Sequence, residues 1–217
     1  MRLPGAEQQR PGLWRWIAYH PEWRADVGCV AYATATSLAL IDPMLPAEEA
    51  DRRRFLRALD REVRSQPGPL HVLVTIHWHK RHAAELVARY SSRRDVELWG
   101  PSGATAKLDL RDNRRLDRVR RPPAGIVAFE TRGGREVVLW LPRVRTVVAG
   151  DALLGGKRKP LRICPQSWLE HGETRTGVAR SLRPLATLPV ELVLPAHGEP
   201  VRENALQALE VAFADTA

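Results

Sequence analysis

Val74-Thr75-Ile76-His77-Trp78-His79-Lys80-Arg81-His82 decides how this chain is read: an apolar run that ends in three imidazoles within six positions. A short run rich in β-branched residues predicts a strand, and imidazole is the commonest protein metal ligand. Histidines at i and i+2 put both rings on one side of an extended segment. A third at i+5, carried toward a following helix, is in reach of the same point. The stretch is therefore expected to hold a metal above the end of a strand.

Working outward, the flanking order is that of an α/β unit. Residues 71–76 predict a strand, 83–90 a helix and 96–99 the next strand, closed by Gly100-Pro101. That order leaves the histidines at a strand's carboxyl end, where α/β proteins place ligands. Upstream, residues 14–19, 27–33 and 38–42 read as strands of a meander. Residues 46–65 carry Ala50, Phe55, Leu56 and Leu59 among charges, with Glu48, Glu49 and Asp51 in the opening turn, which predicts an amphipathic helix. Downstream, residues 126–130, 136–141 and 146–149 read as strands separated by Gly133-Gly134 and Pro142. Residues 111–123 have no clean period and read as a surface connection, and residues 155–160 as a flexible basic loop. Residues 168–188 predict one or two helices, 192–194 a last strand and 204–214 a terminal helix.

Together these landmarks resemble the metallo-β-lactamase superfamily. The segment His77-Trp78-His79-Lys80-Arg81-His82 is similar to its His-x-His-x-Asp-His motif, with Arg81 at the Asp position. Ser37-Leu38-Ala39-Leu40-Ile41-Asp42-Pro43 matches its early strand ending in Asp. Val147-Val148-Ala149-Gly150-Asp151-Ala152-Leu153 looks like the strand-Gly-Asp segment that carries its metal-bridging carboxylate. Leu192-Val193-Leu194-Pro195-Ala196-His197-Gly198 looks like its closing Pro-x-His-Gly. The four stand in the right order and cover most of the chain. The resemblance implies an α/β fold, a four-layer αββα sandwich, and a metal-dependent hydrolase similar to the glyoxalase II-like branch, acting on a small ester, thioester or lactone. A length of 217 residues suits a single domain over 1–217.

By the same resemblance, His77 and His79 bind one metal, His82 and His197 belong to a second position, and Asp151 bridges them and serves catalysis. Asp42 is expected to orient a histidine rather than ligate. Two ligand positions are altered. Arg81 has no lone pair to offer a metal, and the third ligand of the first metal falls at or beside Arg132, with no histidine between His82 and His171. Arg81 and Arg132 either supply the positive charge removed with a metal or face solvent. His77, His79, His82, Asp151 and His197 remain, and a catalytic zinc needs three protein ligands and an open position. One divalent metal is expected, through His77, His79 and Asp151 or a rearranged set that includes His82 or His197. Zinc leads, with iron or manganese open on ligand type. The other reading is a non-catalytic member without a metal, whose cleft lined by Arg81 and Arg132 binds an anion or a partner.

Composition narrows the partners. The formal net charge is +9, but lysine occurs only at 80, 107, 157 and 159, and the arginines are spread along the chain. Such a skew follows from GC-rich codon usage, so nucleic acid is the least favoured partner and a small molecule the first. No apolar run approaches the eighteen or so residues of a membrane span, and the first residues lack a signal-peptide core. The expectation is a cytoplasmic protein with reduced Cys29 and Cys164 and an open oligomeric state.

Overall fold

Two sheets pack face to face, and each carries helices on its other side. The computed structural model describes residues 2–102, 114–116, 122–156 and 161–216. The larger sheet has seven strands in chain order: β1 (Glu7–Arg10), β2 (Leu13–His20), β3 (Ala25–Ala33), β4 (Leu38–Ile41), β5 (Leu70–Leu73), β6 (Val96–Pro101) and β7 (Arg114–Leu116). Pairing is antiparallel as far as β4 and parallel beyond it. Parallel neighbours need crossovers, and α1 (Glu49–Ser65) and α2 (Ala83–Tyr90) supply the first two. The smaller sheet comprises β8 (Val127–Thr131), β9 (Glu136–Leu141), β10 (Thr146–Ala149) and β13 (Leu192–Pro195), in the order β13-β10-β9-β8. A hairpin of β11 (Leu153–Gly155) and β12 (Leu161–Ile163) follows β10; α3 (Arg175–Leu182) leads into β13, and α4 (Ala205–Ala214) follows it.

The alternation of side chains across each strand sorts the apolar residues into three layers. In β4, Leu38 and Leu40 pack with Phe55 and Leu59 of α1, while Ala39 and Ile41 face the second sheet. In β9, Val137, Leu139 and Leu141 meet the first sheet, while Val138 and Trp140 pack with Val178 of α3 and Leu209 of α4. These strands are buried on both faces, which is why they read as nearly continuous apolar runs. The layers are helix, sheet, sheet, helix: the expected αββα sandwich.

Three local expectations change. β5 ends at Leu73; the Val74 N–H still donates to Trp99 O of β6 at 2.8 Å, and from Thr75 the chain crosses to the second sheet, where the Val137 N–H donates to Thr75 O at 2.9 Å and Ile76 bridges to Glu136. That crossing ties the two sheets together directly beneath the histidine segment. Within the presumed surface connection, Arg114–Leu116 form β7, and the fully buried Leu116 explains why they hold to the sheet; residues 111–113 and 117–121 lie outside the described residues. The α1 helix starts at Glu49 rather than 46. Between 168 and 188 there is one α-helix, α3, flanked by single 3-10 turns. Lys157, Arg158 and Lys159 of the basic loop lie outside the described residues. Among the described residues no helix is long and apolar enough to cross a membrane.

Candidate metal centre

The ends of four strands deliver the polar groups to one edge of the sandwich. Asp42 follows β4 with a left-handed φ of 47°, a conformation Asp tolerates better than most residues. Its Oδ1 accepts the Thr75 N–H at 2.8 Å, and its Oδ2 accepts the Thr75 hydroxyl at 2.5 Å and lies 2.9 Å from His79 Nδ1. Asp151 follows β10 through Gly150, where a Cβ would stand 2.4 Å from Thr75 Oγ1. Only glycine lets that strand come so close to the histidine segment. His197 follows β13; a Cβ on the next residue, Gly198 (φ +87°), would lie 2.2 Å from Gly155 O, and the Gly155 N–H holds His197 O at 2.9 Å.

The result is a convergent set. His79 Nε2 lies 3.1 Å and His197 Nε2 3.3 Å from Asp151 Oδ1, and the ligand atoms of all three lie within 4.8 Å of one another. His79 is fully buried and Asp151 nearly so, yet His79 Nε2 and Asp151 Oδ1 do not align as a hydrogen bond with each other or with any other group. The two atoms touch as an ion pair, but a buried pair without good hydrogen-bond alignment leaves part of the desolvation cost of both groups uncompensated. The other oxygen, Asp151 Oδ2, accepts the Trp78 indole N–H at 2.5 Å.

Charge is concentrated here. Burial and the nearby Arg81 oppose a proton on His79, but Asp42 and Asp151 on either side raise its pKa to about 9. Burial is the largest influence on Asp42 and Asp151 and works against ionising them; the His79 charge, together with the polar contacts each carboxylate receives, outweighs it and holds Asp42 below, and Asp151 well below, the usual carboxylate range. Glu136, at the start of β9, is fully buried, accepts the Ala152 N–H at 2.7 Å and pairs with Arg132 at 3.2 Å. Burial first, and then the Asp151 charge, push its pKa up to about 7.

Of the five ligand candidates the structure brings together His79, Asp151 and His197, and not His77 or His82. Residues 77–80 form a 3-10 turn. At three residues per turn, i and i+2 diverge around the axis instead of sharing a side; His77 turns against the Trp78 ring, 4.3 Å between centroids. His82 points toward α1, its Nδ1 accepting the Leu45 N–H at 3.2 Å and its Nε2 lying 3.3 Å from Arg52. Asp42 orients a ligand candidate, His79. Arg81 donates to Asp42 O at 3.0 Å and lies over the Trp23 ring at 5.8 Å.

Arg132 does not reach Asp151 as a counter-charge. It is buried, pairs with Glu136 and Glu173, donates to Trp168 O at 2.6 Å and lies 5.1 Å over the Trp78 ring. Sequence reasoning missed Thr75, Glu136, Trp23 and Trp168. Glu136 left one trace, an acidic residue opening an otherwise apolar strand. Trp23, in the β2–β3 turn, and Trp168 both pack against the His197 ring, at 6.0 and 5.9 Å between centroids, and both remain substantially exposed. Nothing in the local pattern separates them from core tryptophans.

No protein-family model and no curated protein matches the sequence. Solved structures match along nearly its whole length. The DIM-1 metallo-β-lactamase is similar at a TM-score of 0.69 and 12% identity, covering 98% of this chain and 97% of that one. A β-lactamase domain protein from Burkholderia ambifaria gives a TM-score of 0.69 at 18% identity, covering 100% of this chain and 73% of that one. The FIM-1 metallo-β-lactamase from Pseudomonas aeruginosa, in its mono-zinc form, gives 0.65 at 10% identity, covering 96% of this chain and 94% of that one.

Proposed function

We propose that this chain, which has the metallo-β-lactamase fold, is a metal-dependent hydrolase that holds one divalent cation on His79, Asp151 and His197. The observation that carries the reading is the convergence of His79 Nε2, Asp151 Oδ1 and His197 Nε2 within 4.8 Å of one another, the first two buried and in ion contact without good hydrogen-bond alignment. Two imidazole nitrogens and a carboxylate oxygen suit zinc, and also iron or manganese. When bound, such a cation supplies a Lewis acid that polarises a carbonyl and acidifies water. Asp42 holds the Nδ1 side of His79 and so presents Nε2 to the cluster. The Trp78 N–H fixes one oxygen of Asp151 and leaves the other facing the cluster. Asp151, kept ionised, would hold the cation through Oδ1 and orient a water beside it through the remaining lone pair of Oδ2. Arg81, permanently charged beside His79, offers no ligand for a second cation, which supports one metal rather than two.

The substrate class is a small ester, thioester or lactone, as in the glyoxalase II-like hydrolases. Trp23 and Trp168 support it by placing two exposed indole walls beside His197 for the acyl group. The test is turnover of an aryl acetate, an S-acyl thioester and a γ-lactone by zinc-loaded, chelator-treated and reconstituted protein. Hydrolysis of at least one class, abolished by chelation, restored by zinc and lost in Asp151→Ala, is the expected result. Turnover indifferent to chelation, or none by zinc-loaded protein, overturns it.

One observation favours a second reading. His79 sits between two carboxylates with a raised pKa, so its own proton offsets one of their charges and the Arg81 guanidinium beside Asp42 the other. A protein that relies on that proton keeps the fold without a metal and uses the cleft by Arg81 for an anion or a partner. Failure to bind zinc selects this reading.

A further inference from the structure

A second cavity lies between the N-terminal segment and α1. Its volume is about 540 Å³, and its wall includes Arg2, Trp14, Arg54, Arg57 and Arg61. The arginines are exposed, and among the described residues none of Arg54, Arg57 and Arg61 pairs with a carboxylate. Glu62 stands near the rim, where its Oε1 accepts the Arg2 backbone N–H at 2.7 Å. Arg54 and Arg57 are spaced i, i+3, and Arg57 and Arg61 i, i+4, so the like charges stack along one face of the helix. That arrangement destabilises a free helix and is relieved when an anion meets it.

The shape of the charge points to the ligand. At 1.5 Å rise per residue the row from Arg54 to Arg61 is about 10 Å long, which matches a run of successive charges better than a single small anion. Trp14 is partly exposed, lines the same cavity and packs against no other ring among the described residues. An indole face beside a basic track is how proteins hold an unpaired base and its phosphates. We propose that this cavity binds a segment of single-stranded nucleic acid, with the α1 arginines on the phosphates and Trp14 against a base. The cavity is remote from the metal centre: Trp14 opens β2 and His20 ends it, beside Trp23, a separation of about 20 Å along the strand. Binding there is therefore independent of any metal.

The experiment is fluorescence anisotropy of a labelled oligothymidylate with the full chain, with and without chelator, over a series of salt concentrations. Saturable binding unaffected by chelator is expected, its log affinity falling with log salt at a slope of about −3 for four phosphates. Arg57→Glu with Arg61→Glu should weaken binding at least about ten-fold, and the neutral pair Arg57→Gln with Arg61→Gln by less. Arg180→Glu with Arg183→Glu, the same charge change in and just after α3, should leave affinity within about two-fold. Trp14→Leu should cost at least about five-fold. Thermal unfolding by circular dichroism verifies that each variant folds. Equal weakening by the two reversal pairs, no binding at low salt, or competition by tripolyphosphate as effective per phosphate as the oligonucleotide would each overturn the proposal.

Discussion

Two carboxylate clusters differ in how they are completed: the half-buried Asp60, which joins α1 to α2, and the buried Asp151 at the sheet edge. Asp60 is complete. Its Oδ1 accepts Arg89 Nε–H and the Tyr90 hydroxyl, both at 2.9 Å, and its Oδ2 accepts Arg89 Nη2–H at 2.6 Å. Asp151 has one oxygen satisfied by Trp78 and one crowded by two imidazole nitrogens without hydrogen-bond alignment. Both carboxyls are held below their usual pKa, Asp60 chiefly by the Arg89 hydrogen bonds and Asp151, against its burial, chiefly by the His79 charge. The first is finished by protein alone and serves stability. The second leaves three potential ligand atoms around a point that the proposed cation would fill.

Removing Asp151 or His79 should break the contrast most severely, since each supplies one of only three ligand atoms; loss of stoichiometric zinc binding, read by metal analysis after dialysis, is the expected outcome. Arg132→Leu comes next. It leaves Glu136 and Glu173 without their buried partner, so a destabilisation of about 3–5 kcal/mol is expected in denaturant unfolding, with Trp168 released from its brace. Asp42→Asn should weaken zinc about 10–100-fold while the fold persists, because it frees the His79 ring without deleting a ligand; competition with a chromogenic chelator measures it.

The smallest effect belongs to the satisfied cluster. Asp60→Asn should cost about 1–2 kcal/mol, discounted because the pair is partly solvated, and leave zinc binding unchanged. Its pH dependence has a definite sign. The folded pKa of Asp60 lies below the unfolded value, so its contribution is present above the unfolded pKa and is lost as pH falls through the folded one. The variant should therefore lose part of the acid-side slope of stability that the parent protein shows.

What the sequence disclosed follows the same division. Strand positions and the sheet-edge location were legible because they rest on periodicity and on glycine or aspartate punctuation, and the layer order because the landmarks at Asp42, Gly150-Asp151 and His197-Gly198 carry a family resemblance that implies it. Which of the candidate residues converge was not legible. An extended segment would have put His77 and His79 together, but residues 77–80 coil into a 3-10 turn, so that of the five candidates named from the sequence only His79, Asp151 and His197 converge. Arg132 likewise stood in the place where the resemblance puts a ligand, but its partners depend on Glu136 being buried, and a strand pattern does not reveal whether its first residue faces core or solvent. Trp23 and Trp168 each reach the His197 ring only because a hairpin turn and a distant loop converge there.

Zinc titration of metal-stripped protein, with parent, His77→Ala and His79→Ala compared under one condition, tests the central claim most directly. One zinc per chain in the parent and in His77→Ala, with none in His79→Ala, is the expected result. No zinc in the parent, two per chain, or equal loss in both variants would contradict a single metal held on His79, Asp151 and His197.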